Sequence, residues 1–445
     1  MASDDTSGIP PTDIPPTDIP PTDTPPTSGP TGSAGKGAAA RSPWTIVGPG
    51  LIVAATGVGA GDLVAALVAG ERYGLVLIWT VLLGAVLKFG LNEGVGRWHL
   101  LTGQTIIEGW RALGSWATGY FAVYAIIWAF VYGAAATSSA GLALNAMVPA
   151  LPIWGWAIVN AVAAFFLTLW TRYRAFEQIM TWLIGGMFVT VGGAAIMVLP
   201  ELNGIWNTAV PSLPQGSLLY ALGLMGGVGG TITMASYGYW LQEKGWRGRQ
   251  DIPVMRYDAG VAYGMTALFA LAMLILGAAL LYNTDTSISN EEGLIAFASV
   301  LGNQLHPAFR WLFLIGFWSA SFTSVLGVWN GVSYLFADFM RSVRRSDVAD
   351  EALSRTGWYR FYVFWLTFPP MLLHFLGRPV TLIIVYGALG ALFMPFLALT
   401  LLWLLNARKH TGVADRNPLF SNVILGLSLV LFAVLAVNEL IGLFS

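Results

Sequence analysis

Apolar segments long enough to cross a lipid bilayer recur from residue 44 to the end of the chain. One transmembrane helix needs about 20 apolar residues. Hydrophobic residues make up 56% of the 445 residues and charged residues only 10%, whereas about 25% of the residues in soluble domains are charged. The sequence therefore predicts an all-α polytopic membrane protein whose main partner is the lipid bilayer. The predicted spans lie near residues 44–71, 74–95, 115–145, 150–171, 176–199, 216–241, 257–283, 309–340, 360–377, 380–406 and 420–443.

The Lys and Arg residues between these spans fall mostly on one side of the membrane. If the N-terminus is cytoplasmic, Arg72, Arg310 and Arg378 lie outside, Lys88 lies within a span, and the remaining basic residues lie inside. Cytoplasmic loops carry an excess of Lys and Arg. We therefore expect a protein of the plasma (inner) membrane with its N-terminus in the cytoplasm and its C-terminus outside.

The first 42 residues differ in composition from the rest of the chain. They repeat the motif Pro-Pro-Thr-Asp and continue into a stretch rich in Gly, Ser and Ala. Such a segment cannot bury enough apolar surface to offset its chain entropy. Residues 1–42 are therefore predicted to be a disordered cytoplasmic tail without a signal peptide, and residues 43–445 to be one transmembrane domain.

Composition argues against several classes of function. The chain has no cysteine, which excludes disulfides and thiolate chemistry, and its net charge of -1 gives no reason to expect a nucleic-acid partner. The sequence has no phosphate-binding loop and no convergent acid, base and nucleophile. Neither ATP-driven transport within this chain nor enzymatic activity is predicted. No cofactor is expected apart from a divalent metal ion carried as substrate.

Two predicted spans carry glycine runs near the middle of the membrane. The first span contains Gly57 to Gly61 followed by Asp62, and the sixth contains Gly226, Gly227, Gly229 and Gly230. Interrupted helices at matching positions in two halves are typical of transporters built from inverted repeats. The simpler alternative is close helix packing through small residues. The charge at Asp62 favours broken helices, with one repeat over about 44–199, a second over about 216–406, and an extra helix at 420–443.

Several short motifs, in this order and spacing, resemble the NRAMP (natural resistance-associated macrophage protein) metal-transporter family. They are Gly48-Pro49-Gly50, Glu71-Arg72-Tyr73-Gly74, Leu77-Ile78-Trp79, Thr102-Gly103, Met234 and Pro395-Phe396. The resemblance covers about 400 residues, the whole chain after the tail. It implies a leucine-transporter-type fold of five plus five inverted helices with helices one and six broken, here with an eleventh helix. It also implies inward transport of divalent transition metals, typically with protons.

The chain departs from this family at its ion-binding motifs. The family's Asp-Pro-Gly-Asn motif reads Gly59-Ala60-Gly61-Asp62, and its Met-Pro-His motif reads Met234-Ala235-Ser236. A Ser-Gln pair in the tenth helix aligns with Tyr386-Gly387, and the third predicted span lacks acidic residues. These differences predict altered ion selectivity, for manganese or magnesium, and weak or absent proton coupling.

The predicted substrate site lies where the two broken helices meet. Its candidate residues are Gly59, Asp62, Thr231, Met234, Ser236, Tyr237 and Tyr386. Asp62 and Met234 are the candidate metal ligands, because a carboxylate with a thioether suits a transition metal. A site with one carboxylate and no histidine would bind weakly or keep most of the ion's water, which suits magnesium. A methionine in a membrane helix is more often packing than ligand.

Lys88 is the unusual charge of the second predicted span. A lysine in the membrane needs a partner or a changed ionisation. Lys88 either pairs with Asp62, which would neutralise the central carboxylate and argue against a cation substrate, or pairs with Glu93. Arg97 is spaced correctly to pair with Glu93 instead, so Lys88 is treated as a residue that modulates the charge of the site.

The eighth span carries a cluster of hydroxyl side chains. Ser321, Thr323 and Ser324 form a candidate sodium site, since hydroxyls of this helix can hold sodium in bundles of this fold. The alternative is that they bond to preceding carbonyls of their own helix. A sodium ion is therefore one candidate for replacing the family's proton.

Aromatic residues favour a different substrate. Trp128, Tyr132, Tyr237, Tyr239 and Trp240 flank the predicted cavity, and aromatic walls beside Asp62 suit an amine or another organic cation. Three hypotheses follow: an NRAMP-like secondary transporter of divalent metal ions, a transporter of a small organic solute on the same scaffold, and a binding or sensing protein that keeps the fold without transport. The first is the leading prediction.

Overall fold

A computed structural model provides the fold of the chain. It describes residues 48–202, 210–227, 230–282, 284, 291–346, 349–375, 379–407 and 417–444. The predicted tail, the first residues of the first span and residues 285–290, between the seventh and eighth spans, lie outside the described residues.

In the part of the chain that the structure describes, the first half of the membrane domain contains seven helices. They are α1 (Pro49–Gly57), α2 (Ala60–Tyr73), α3 (Ile78–Thr102), α4 (Ile106–Leu113), α5 (Ser115–Met147), α6 (Ile153–Trp170) and α7 (Tyr173–Val198). Helix α4 begins with a capping box, because the Thr105 hydroxyl accepts from the Glu108 amide and the Glu108 carboxylate accepts from the Thr105 amide. A 3₁₀ turn, Leu199–Leu202, follows α7.

The second half repeats this pattern of long and interrupted helices. Its helices are α8 (Leu218–Gly227), α9 (Tyr237–Glu243), α10 (Ile252–Leu280), α11 (Glu291–Gln304), α12 (Pro307–Arg344), α13 (Gly357–Thr367), α14 (Met371–His374), α15 (Pro379–Asn406) and α16 (Leu419–Phe444). Short 3₁₀ turns occur at Ile232–Ser236, Arg249–Asp251 and Asp350–Arg355.

The helices agree with the predicted spans. Seven described helices are long and apolar enough to cross a membrane by themselves, and the bent pair formed by α1 and α2 makes an eighth. Predicted spans six, nine and ten correspond to the pair α8 and α9, to α13 and to α15. The boundaries of the long helices differ from the predicted spans by only a few residues, except that α3 continues to Thr102, seven residues beyond the predicted end.

Small residues let the helices around the centre pack backbone to backbone. A methyl group added at Gly70 of α2 would lie 2.1 Å from the Leu274 carbonyl oxygen of α10, and one added at Gly277 would lie 2.1 Å from the Leu67 carbonyl oxygen. This contact is the small-residue packing common in membrane proteins. Helices α2 and α10 therefore depend on glycine at these two positions.

Candidate substrate site

The first span is interrupted between Gly57 and Ala60, which we call the first break. Helices α1 and α2 meet there at an angle of 60°. Gly59 is extended, and its amide donates to Asp62 Oδ2 at 2.8 Å. Glycine has no side chain to cap the new helix, so the carboxylate three positions further on reaches back to the exposed amide. Asp62 therefore acts first as the cap of the half-helix α2.

The sixth span is interrupted between Gly227 and Tyr237, which we call the second break. Gly230 has a φ of +86°, a conformation that favours glycine. The chain then forms the 3₁₀ turn Ile232–Ser236 before α9 begins. The Gly230 carbonyl has left the helix and accepts a hydrogen bond of 2.5 Å from Lys88 Nζ of α3.

Lys88 is fully buried, with 0% of its surface exposed. Its ammonium also lies 5.5 Å from the centre of the Phe432 ring of α16. Among the described residues Lys88 forms no salt bridge with Asp62. Asp62 and Gly230, the residue to which Lys88 bonds, instead line one cavity together. Glu93 pairs with Arg97 at 3.1 Å and with Arg256 at 2.9 Å, so the Glu93–Arg97 pairing is confirmed and Lys88 takes neither of its two predicted carboxylate partners as a contact.

A cavity of about 30 Å³ lies between the two breaks. It is lined by Thr56, Gly57, Asp62, Tyr132, Gly226, Gly230, Thr231, Thr233 and Val328. Asp62 is the charged member of this lining, and most of the other side chains are hydroxyl-bearing or absent. A second cavity of about 10 Å³ has a mainly apolar lining and shares Asp62 with the first. Asp62 therefore has a hydroxyl-rich cavity on one side and an apolar cavity on the other.

A chain of hydroxyls holds the end of α1 beside this cavity. Ser324 of α12 donates to the Thr56 carbonyl at 2.7 Å, and the Tyr132 hydroxyl of α5 lies 2.8 Å from Ser324 Oγ. Because the Ser324 proton is used by the carbonyl, Tyr132 donates to Ser324. The Thr56 carbonyl is freed by the first break, so this pair replaces the helix bond that it has lost.

The structure brings only some of the predicted site residues to the cavity. Asp62 and Thr231 line it, and Gly59 lies in the first break beside Asp62. Met234 is fully buried in the hydrophobic core and is not part of the lining. A methyl group added at Gly230 would lie 3.3 Å from Met234 Cγ, so Met234 lies beside the cavity wall and its role as a ligand stays a prediction.

Ser236 and Tyr237 also lie away from the cavity. Ser236 packs against Gly331 of α12, since a methyl group added to Gly331 would lie 3.0 Å from Ser236 Cβ. The Tyr237 hydroxyl donates to Asp258 Oδ2 at 2.8 Å. For Tyr386 the described part of the structure gives only its place in the helix α15.

Asp258 is a buried carboxylate that the sequence did not single out. Its oxygens accept from the Gly48 amide at 2.8 Å, from the Gly50 amide at 2.6 Å and from the Tyr237 hydroxyl. It thereby fixes the start of α1 to α10 and α9. Asp258 lies near the start of the seventh predicted span, a position where a charged residue is usually interpreted as lying at the membrane interface. Thr56 and Thr233 were missed because isolated threonines in apolar helices carry no recognisable pattern.

The predicted sodium hydroxyls have three different surroundings. Thr323 donates to the Ala320 carbonyl of its own helix at 2.9 Å, which is the common use of such a side chain. Ser324 bonds to Thr56 and Tyr132. Ser321 Oγ is buried without a hydrogen-bond partner in the described structure. These contacts supply no observation in favour of a sodium ion.

Among the described residues, no three His, Cys, Asp or Glu side chains come together as a metal-binding group. An ion at Asp62 would therefore be bound by one carboxylate together with neutral oxygens and water. Such a set of hard ligands suits magnesium or manganese better than a soft metal.

The profile of the family described as "Natural resistance-associated macrophage protein-like" (Nramp) matches residues 50–442 of this chain. The chain belongs to the Nramp family. Members of this family are membrane transporters, so this Nramp chain is a membrane transporter and not an enzyme. The family prediction made from the motifs is confirmed.

Relatives of this Nramp chain share modest sequence identity with it. The uncharacterized membrane protein YcsG of Bacillus subtilis is 24% identical over 72% of this chain and 76% of its own length. The divalent metal cation transporter MntH of Chromohalobacter salexigens is 28% identical over 55% of this chain and 59% of its own length. MntH of Mycobacterium tuberculosis is 25% identical, over 59% and 64%. The match thus spans about three fifths of each MntH relative.

Solved structures share the fold over almost the full length. A crystal structure of a mutant of the Eremococcus coleocola manganese transporter has a TM-score of 0.74 and 15% identity, covering 91% of this chain and 90% of that chain. The same transporter in complex with an aromatic bis-isothiourea substituted compound has a TM-score of 0.73. This likeness confirms the predicted leucine-transporter-type fold with its two interrupted helices.

Proposed function

We propose that this Nramp chain is a secondary transporter of divalent metal ions, of manganese or magnesium, with weak or absent proton coupling. Its family and the transport of divalent metals by the relatives named MntH support this proposal. We further propose a location in the plasma (inner) membrane with the N-terminus in the cytoplasm, on the basis of the distribution of Lys and Arg.

The observation that carries the proposal is the oxygen-lined cavity between the two breaks. Asp62 contributes a carboxylate to its lining. Hydroxyl groups come from four other lining residues, which are Thr56, Thr231, Thr233 and Tyr132. One carboxylate oxygen accepts from the Gly59 amide. The other oxygen is left for an ion, because no described residue donates to it. Freed carbonyls and the end of a half-helix at the middle of the membrane are the usual setting of a cation site in this kind of bundle.

Ion choice follows from the ligands that line the cavity. A single carboxylate with neutral oxygens and water suits an ion that keeps part of its hydration shell, as magnesium does. Manganese also accepts such hard ligands. None of the described residues that line the cavity carries a thioether, the ligand that would favour softer metals.

Weak or absent proton coupling is proposed from the third span. Helix α5 carries no acidic residue along its 33 residues, and Asp62 is the carboxylate of the cavity lining. A proton route separate from the ion site would need a second acidic residue in this region, and neither α5 nor the described lining supplies one. We do not propose sodium coupling, since the structure gives both hydroxyls a structural role: Thr323 bonds within its own helix, and Ser324 bonds to Thr56 and Tyr132.

The test is uptake of Mn²⁺ and of Mg²⁺ by purified protein in sealed lipid vesicles. We expect saturable uptake of at least one of the two ions, unchanged when sodium is replaced by choline and when the proton gradient is collapsed. Asp62→Asn removes the charge that attracts the ion and is expected to lower uptake by at least about tenfold. Asp251→Asn is the matched control, because Asp251 accepts from the Arg247 amide in a loop outside the bundle.

Two outcomes would contradict the proposal. Uptake of neither ion by the wild-type protein would exclude these substrates and would reopen the organic-solute hypothesis. Uptake that is equal in the wild-type and Asp62→Asn proteins would place the ion site elsewhere.

A further inference from the structure

Lys88 is a buried cation that the proposed ion site does not use as a ligand. It lies on α3 with 0% exposure, and its ammonium donates to the Gly230 carbonyl of the second break. A lysine side chain in the middle of a membrane is costly unless its charge is compensated. The role of this charge therefore has to be found in its surroundings.

In the described structure, three groups bear on the charge of the Lys88 ammonium. The Gly230 carbonyl accepts its hydrogen bond at 2.5 Å, and the Phe432 ring faces it at 5.5 Å. Asp62 lines the same cavity as Gly230, so the carboxylate lies near the carbonyl that Lys88 binds. The carbonyl and the ring are neutral, so Asp62 supplies the opposite charge. In the described part of the chain, Asp62 and Lys88 make the empty site neutral as a pair.

The pair is separated rather than in contact. Asp62 is held in place by the Gly59 amide of the first break, and Lys88 is held by the carbonyl of the second break. Each charge is therefore tied to a different broken helix. The carboxylate stays open to the cavity while its charge is still balanced.

This arrangement has a consequence for the return of the empty carrier. A lone carboxylate at the centre of the bundle is unfavourable when the cavity is empty and closed. A carrier with only that carboxylate would return slowly unless a proton or another cation travelled with it. A tethered ammonium supplies the same balance without leaving the protein.

Building on the proposed function, we propose that Lys88 is a tethered counter-cation of Asp62 that lets the empty transporter return across the membrane without a coupling ion. Transport is then uniport, driven by the gradient of the metal ion and the membrane potential.

The experiment compares two modes of transport by the full chain in lipid vesicles, with Mn²⁺ as the probe, or with Mg²⁺ if only that ion is carried. Net uptake into ion-free vesicles requires the empty carrier to return, whereas exchange of labelled for unlabelled ion does not. Lys88→Met removes the charge and keeps a side chain of similar length. Lys88→Arg keeps the charge as the matched control.

We expect Lys88→Met to lower net uptake by at least about tenfold, as expected for a buried charge that has lost its partner. Exchange by the same variant is expected to stay within about threefold of wild type, because the ion itself balances Asp62 in every step of exchange. Lys88→Arg is expected to keep both modes close to wild type.

Several outcomes would overturn the inference while leaving the proposed function intact. One is net uptake by Lys88→Met equal to that of wild type. Another is an equal loss of net uptake and exchange, which would mean that Lys88 supports the second break rather than the return step. A third is Lys88→Arg behaving like Lys88→Met. Failure of the wild-type protein to carry either ion would instead contradict the proposed function itself.

Discussion

The two breaks in the membrane domain are held in different ways. The first break is held at both ends of α1: Asp258 accepts from the amides at its start, and Ser324 donates to the Thr56 carbonyl near its end. The second break is held by Lys88 at Gly230 and by the bond from Trp240 Nε1 to Asn330 Oδ1 at 2.7 Å. Polar groups of other helices thus replace the bonds that each broken helix lost.

Helix α12 contacts both breaks through two glycines one turn apart. A methyl group added at Gly327 would lie 1.7 Å from Thr56 Oγ1 and 2.7 Å from Thr56 Cβ. One added at Gly331 would lie 2.7 Å from the edge of the Trp240 ring and 3.0 Å from Ser236 Cβ. The first helix therefore approaches α12 more closely than the second. Helix α12 thus packs against both breaks, and it packs more tightly against the first than against the second.

The largest expected effect is that of Gly327→Ala. We expect it to lower the free energy of unfolding by about 3 kcal/mol, because overpacking against a β-branched side chain forces α1 away from α12. Gly331→Ala is expected to cost about 1–2 kcal/mol, since the ring edge of Trp240 can shift. Thermal unfolding in detergent measures both.

Gly264→Ala on α10 is the control for this pair, because nothing lies within 4 Å of the position of an added methyl group. Equal melting temperatures for the Gly327 and Gly331 variants would remove the inequality between the two breaks.

The next largest effect is that of Asp258→Asn, which tests the anchor of the first break. The carboxylate accepts from two amides and one hydroxyl, and an amide side chain cannot accept all three bonds. We expect a loss of about 2–3 kcal/mol, as for buried hydrogen bonds to a charged group. Melting temperature and the yield of monodisperse protein are the measurements.

Asp251→Asn again serves as the matched control, because it affects one exposed hydrogen bond, which the Arg247 amide donates to Asp251. If the Asp258 variant were as stable as this control, the start of α1 would not depend on its anchor.

The smallest expected effect is that of Ser324→Ala, which leaves the Thr56 carbonyl and the Tyr132 hydroxyl without this partner. We expect a loss of about 1–2 kcal/mol, seen as a drop of a few degrees in melting temperature. Thr323→Val, one residue away, removes only a bond within the helix and is expected to change stability by less than about 0.5 kcal/mol. A larger effect at Thr323 than at Ser324 would reverse this assignment.

Much of the fold was predictable from the sequence. The positions of the long helices follow from runs of apolar residues, and the breaks follow from glycine runs with a nearby charge. The pairing of Glu93 with Arg97 follows from their spacing on one helix. Each of these features depends on residues close together in the chain, so local patterns were sufficient.

The site was less predictable. Met234, Ser236 and Tyr237 were expected at the cavity but face the core, α12 and Asp258. Which face of an irregular turn points inward is not set by a regular period. Thr56 and Asp258 were missed because their partners lie on helices far away in the sequence.

The sequence of residues 57–62, Gly-Val-Gly-Ala-Gly-Asp, by itself determined that the first membrane helix is interrupted and that a carboxylate follows the interruption. Glycine permits the break, and a charge within the membrane is usually functional. Only the tertiary structure decided where Lys88 goes. Its choice of the Gly230 carbonyl over a direct contact with Asp62 depends on how α3 packs against both broken helices. The separation of these two charges, which keeps the carboxylate open to the cavity, is therefore a property of the packed bundle and not of either segment alone.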